Sequence, residues 1–159
     1  MIRLDGISEG DAVISNHDLY DQDFHAWAEE QARLLRCGQL AYADLDHIAE
    51  EIETLGASER RELESRLKIL LLHLLKWKYQ PEARSSGWIG TIDEQRDQID
   101  TLLRQSPSIK RLVGEYLGYA YPKARRSAAH ETGLAQDVFP TQCPFSELDL
   151  LDPEFWPDR

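Results

Sequence analysis

The residues best suited to chemistry are imidazoles and carboxylates. His47, Glu50, Glu51 and Glu53 lie close together in the sequence, and His73 stands in the apolar run LLLHLLKW. Separations of three and four put His47 on one helical face with Glu50 or Glu51. Such groups converging inside a helical bundle bind iron, manganese or zinc. His47, Glu50, Glu53 and His73 therefore make a candidate metal set, provided that two helices bring them face to face. The di-iron pattern asks for Glu-x-x-His from two helices, and the nearest approach is one Asp44-x-x-His47. The competing reading is a solvated acidic face answering Arg60, Arg61 and Arg66 beyond a turn at Gly56. For His73 the competing reading is a buried neutral imidazole with one hydrogen bond.

A second constellation surrounds the loop after residue 79: Trp77, Tyr79, Arg84 and Trp88, with Lys78 between them. Cations beside aromatic rings could stack on a base or form an interaction surface. They could equally clasp two antiparallel helix ends, the cations reaching out to water. Lys123, Arg125 and Arg126 add charge without an aromatic platform. No Gly-rich phosphate loop, nucleophile elbow or zinc-type spacing occurs. Cys37 and Cys143 have no His or Asp partner in sequence, and both are expected to be inert free thiols. No catalytic residue and no cofactor is expected.

Helical elements must position these groups. Tyr20, Phe24, Trp27, Ala28, Leu34 and Leu35 recur at helical spacing from Asp18 to Gly38. Leu45, Ile48, Ile52 and Leu55 define a short second helix started by Asp44 and stopped by Gly56. The central helix is expected over 58–79, opened by Ser58, striped by Leu63, Leu67, Leu70, Leu74 and Trp77, widened by Leu71, Leu72 and Leu75, and ended by Pro81. A fourth helix runs from about Trp88 to Gln105 through Ile92, Arg96, Ile99 and Leu102. Ser106-Pro107 restarts the chain into a fifth helix. Gly118 and Pro122 then leave two options, a kinked continuation to Thr132 or a separate short helix. Residues 146–151 suit one or two turns. Phe139, Phe145, Phe155 and Trp156 are apolar enough to fold back onto the bundle. The expected fold is all-α, an antiparallel up-and-down bundle of about five main helices, with no strand pattern competing. Residues 1–17 lack helical period and read as a loosely attached arm beside one domain over 18–159.

With 159 residues, the chain is long enough for a core without staples. Its formal charge of -11 is uneven. Residues 1–56 carry 13 acids and 3 bases, net -10; residues 57–135 carry 10 and 14, net +4; residues 136–159 carry 6 and 1, net -5. An acidic chain without a clustered basic face is poorly suited to nucleic acid, so that reading, through Arg84, Arg96, Lys123, Arg125 and Arg126, ranks last. No stretch reaches the roughly 20 apolar residues of a membrane span, and residues 1–11 lack a secretory apolar core. A cytoplasmic location and no membrane partner are expected.

Several segments together resemble one family. They are YDQDFHAW at 20–27, IAEEIE at 48–53, SERR at 58–61, HLLKW at 73–77, ETGL at 131–134, FP at 139–140, CPF at 143–145 and FWP at 155–157. In this order they resemble the bacterial domain of unknown function 29 family, from about residue 19 onward. The resemblance implies an all-helical bundle and carries no activity or site residues with it. The expectation is a non-catalytic protein acting by protein–protein interaction, as an adaptor or regulatory partner or by self-association. The alternative is the metal- or small-ligand-binding bundle through His47, Glu50, Glu53 and His73.

Overall fold

A computed structural model describes residues 16–157 of the chain. Among these residues all regular structure is helical. α1 is Asn16–Gln22, α2 Phe24–Arg36, α3 Leu45–Tyr79, α4 Ser86–Gln105, α5 Val113–Thr132 and α6 Glu147–Leu151, with short 3-10 turns between them. The all-α class is therefore the one adopted. Contacts divide the chain into two compact units, Met1–Leu55 and Gly56–Arg159, where the sequence suggested one domain over 18–159. Up to residue 15 the expected arm lies outside the described residues.

The largest departure is α3. The sequence suggested two helices with a turn at Gly56, and the chain instead makes one helix of 35 residues through it. A glycine stops a helix by taking the left-handed conformation, as Gly38 and Gly133 do with φ of 69° and 70°, and Gly56 does not. Inside a helix it costs about 1 kcal/mol relative to alanine. The flanking run of Leu, Glu, Ala, Arg and Lys tolerates that cost. Conversely, the expected first helix is split. Asp23 leaves the helical conformation, and its carboxylate accepts from the Ala26 amide, so it caps α2 and separates it from α1.

Of the two options at Pro122, the continuation is realised: α5 passes through both Gly118 and Pro122. Proline's ring crowds the carbonyl four residues back, which here belongs to Gly118, where the backbone yields most easily. Ser106-Pro107 restarts the chain as expected, though first as a 3-10 turn over Pro107–Leu112.

The second unit has a continuous core. Leu63, Leu67, Leu70, Leu71, Leu74 and Leu75 of α3 meet Ile92 and Ile99 of α4, Val113, Ala120, Ala124 and Ala128 of α5, and Leu150 of α6. Phe139 and Phe145 join them from the segment after α5, which folds back as its aromatic content suggested. Polar hooks hold that segment. Arg125 donates to the Phe139 and Gln136 carbonyls, both at 2.9 Å, and the Tyr121 hydroxyl donates to the Pro140 carbonyl at 2.6 Å. Ser146 and Asp149 form a reciprocal capping box that starts α6.

Gly133 turns the chain out of α5 in a left-handed cap, its amide donating to the Ala129 carbonyl. A side chain there meets its own backbone, so Gly133→Ala should cost about 1 kcal/mol. The check is a urea melt in which the midpoint falls and the slope stays constant.

Candidate functional site

In the first unit the densest group of polar side chains is built where α1, α2 and the start of α3 meet. Asp44 stands just before α3; its carbonyl accepts from the Ile48 amide and its carboxylate faces the His47 amide at 3.5 Å. The other carboxylate oxygen lies 2.7 Å from His47 Nδ1 and 3.4 Å from Trp27 Nε1. On α2, the Gln31 side-chain carbonyl accepts from the Asp44 amide at 2.8 Å, while its buried Nε2 has no partner among the described residues. Tyr20 of α1 lies flat on the His47 ring, centroids 3.9 Å apart, and its hydroxyl donates to Glu51 at 2.6 Å. Trp27 meets Tyr20 edge-on at 4.8 Å.

Charge follows from this geometry. Bonding to Glu51, with burial and the neighbouring acids, pushes the Tyr20 phenol up to about 12. The Asp44 hydrogen bond raises the His47 imidazolium above its ordinary range against a smaller effect of burial, with Glu50 and Asp21 adding to the rise. Burial acts to raise Asp44, yet the His47 and Trp27 hydrogen bonds hold it below the usual carboxylate range. The arrangement fixes an imidazole by its Nδ1 and stacks it on a phenol that stays protonated. It can hold a proton at His47 and lock the helices together.

A pH dependence follows. With its folded pKa above the unfolded value of about 6.5, His47 contributes stability fully below that value and loses it as pH rises through the folded pKa. The first unit should therefore melt at higher temperature at mildly acidic than at mildly alkaline pH. Asp44→Asn removes the main cause of the shift and should flatten the trend, as read by Tyr20 and Trp27 fluorescence during melting.

The suggested metal ligands are not gathered. His47, Glu50 and Glu53 occupy the first turns of α3, and His73 lies much further along the same helix. The set requires two facing helices, and these residues belong to one continuous helix. Glu50 and Glu53 are exposed, and His47 is engaged by Asp44. His73 Nδ1 donates to the Ile69 carbonyl one turn back at 2.9 Å, the single bond foreseen for a structural imidazole. Among the described residues, no cluster of three or more His, Cys, Asp and Glu side chains is arranged to hold a metal.

Of Trp77, Tyr79, Arg84 and Trp88, Trp77 is buried and Arg84 touches it, while Tyr79, Arg84 and Trp88 are half-buried. Trp77 is 8% exposed. The Arg84 guanidinium sits 4.7 Å over its ring and donates to the Trp77 carbonyl, and Trp156 packs at 4.7 Å. Lys76 lies over Trp88 and bonds Glu131 at 2.7 Å. Tyr79 meets Phe139 edge-on. Aromatic faces that a base would need are thus engaged by the unit's own residues. Of the cations of the nucleic-acid reading, Lys123 bonds Glu64, Arg125 holds backbone carbonyls, and Arg96 is buried. Cys37 and Cys143 are free thiols. Burial pushes Cys143 up, away from thiolate chemistry, although it borders a depression of about 320 Å³ with Tyr121 and Thr141.

Sequence reasoning missed Tyr20 and Gln31 as partners of the Asp44–His47 pair. The visible signal was Asp44-x-x-His47 at the spacing of a helix cap: Asp44 is expected to start its helix, and the pairing with His47 follows from that same spacing. It also placed Arg96 on the apolar stripe of α4 without drawing the consequence that a guanidinium there must find carbonyls.

The family model described as "Domain of unknown function DUF29" matches residues 19–156. No curated protein and no solved structure matches the sequence.

Proposed function

We propose that this chain, which belongs to the domain of unknown function 29 family, works by holding another protein chain rather than by catalysis. One observation carries the reading: the first turns of α3 present Leu45, Ile52 and Leu55 to solvent, the last two 63% and 68% exposed. These side chains recur at the spacing of a helix seam and stay exposed among the described residues. Large apolar side chains gathered in one place mark interaction sites. Supporting it, the polar cluster beside them is consumed in bracing α1, α2 and α3 rather than aimed at a cavity. Of the suggested aromatic surface, Trp77 is buried, which favours placing the interaction surface at the start of α3. No helix among the described residues is long and apolar enough to cross a membrane, which is in keeping with a cytoplasmic partner.

The test places a photo-crosslinking amino acid at position 52 of the full chain in its native cells. A discrete adduct, with a partner or a second copy, is expected at position 52 and not at the exposed polar control position Asp97. Equal labelling at both positions, or none at either, would overturn the reading.

A further inference from the structure

The second unit carries two adjoining depressions of about 290 Å³ each along α4. Both are bordered by Arg96, Asp100 and Leu151, so they form one groove between α4, the 3-10 turn before α5 and the end of α6. Its two ends differ in charge. Towards the C-terminus of α4 stand Leu103, Arg104 and Lys110, and towards the other end stand Asp97 and Pro153. Asp100 and Arg104 pair with each other at 2.9 Å. Asp97 and Lys110 are exposed, and among the described residues neither has a hydrogen bond or an ion pair. The buried Arg96 adds donors between the ends. A guanidinium has five N–H groups; three go to the Leu150, Pro153 and Phe155 carbonyls, which leaves two without a partner among the described residues.

These features select a ligand. A purely anionic molecule meets Asp97 and a purely cationic one meets Lys110, whereas a zwitterion suits both ends. Asp97 and Arg104 lie seven residues apart on the helix, about 10 Å along its axis, which is the reach of roughly three extended residues. Buried donors favour carbonyl acceptors, because leaving them unpaired costs free energy, and Leu103, Leu151 and Pro153 offer apolar contact. We propose that the groove between α4 and α6 binds a short free peptide, its ammonium at Asp97, its carboxylate at Lys110, its peptide carbonyls on the spare Arg96 donors and an apolar side chain against Leu103 and Leu151. The site lies within the second unit and does not rest on the binding surface at the start of α3.

The probe is the tripeptide Ala-Leu-Ala, titrated into the full chain while the amide resonances of Leu103, Lys110 and Leu151 are followed by NMR. All three should move along saturating curves. N-acetylation removes the ammonium and C-amidation the carboxylate; each should weaken binding about threefold or more, the scale of exposed charge pairs. Gly-Gly-Gly keeps both charges without the apolar side chain and should also bind more weakly. Reversing the charge at either end tests the orientation. Lys110→Glu should weaken Ala-Leu-Ala and cancel the penalty of amidation while leaving that of acetylation; Asp97→Lys should do the converse. Both positions are exposed, and unchanged helix content by circular dichroism shows that the variants fold. No saturable movement at these amides, capped peptides that bind as well as the free one, or Gly-Gly-Gly binding equal to that of Ala-Leu-Ala would overturn the proposal. A peptide of this size adds no protein-sized adduct at position 97, so crosslinking at positions 52 and 97 still tests the α3 surface on its own.

Discussion

Arg96→Met is expected to release the segment after residue 146 and to lower the stability of the second unit by about 3 kcal/mol. Arg96 lies on the buried stripe of α4 at 6% exposure, where burial holds its pKa below the usual arginine range. Its guanidinium donates to three carbonyls of one segment: Leu150 at 3.4 Å, Pro153 at 3.2 Å and Phe155 at 2.7 Å. It also stands 5.6 Å over the Trp156 ring. Bonds from a charged donor contribute about 1.5–3 kcal/mol each, and they do not add, because the carbonyls regain water once the segment lifts. Methionine keeps most of the stem's apolar contact, so the measured loss isolates the donors. Hydrogen exchange should quicken at the Leu150, Asp152 and Phe155 amides before the rest of the unit responds. Arg96→Lys should rescue only part, since a single ammonium cannot fork to three acceptors. Unchanged exchange at those amides in Arg96→Met would refute the clamp.

Phe139→Ala should cost about 4 kcal/mol, as much as a leucine in the middle of α3. Phe139 belongs to no α-helix, yet it is fully buried, edge-on to Tyr79 at 5.2 Å, and its carbonyl is held by Arg125. Deleting the ring leaves a cavity lined by side chains that already fill helical positions and have little room to collapse. The expected signature is a lower urea midpoint with the slope preserved. A loss under about 1 kcal/mol would mean that the segment is draped on the core and is not part of it.

These two residues show where the sequence was legible. Leu63 to Leu75 announced the core through spacing alone, because apolar periodicity is a direct image of which face is buried. The apolar tail residues likewise announced their return. Gly56 misled because glycine permits a helix stop without requiring one, and only the backbone conformation tells the two cases apart. That single misreading produced the facing helices on which the metal set depended. The site at Asp44 and His47 was half visible. Spacing within one helix exposed the pair, but Tyr20 and Gln31 reach it across 24 and 13 residues of sequence from Asp44, and periodicity carries no record of such pairings.

The second unit's core also has a calendar. Leu63 to Leu75 are made first, and Phe139 follows Leu75 by 64 residues. At roughly 5–20 residues per second, about 3–13 s separate the leucine face from the ring that helps to close it. During that interval the most apolar helix of the chain stands open to whatever else the ribosome's surroundings offer. A nascent chain halted between α4 and Phe139 is therefore the form of this protein most exposed to aggregation and most in need of a chaperone.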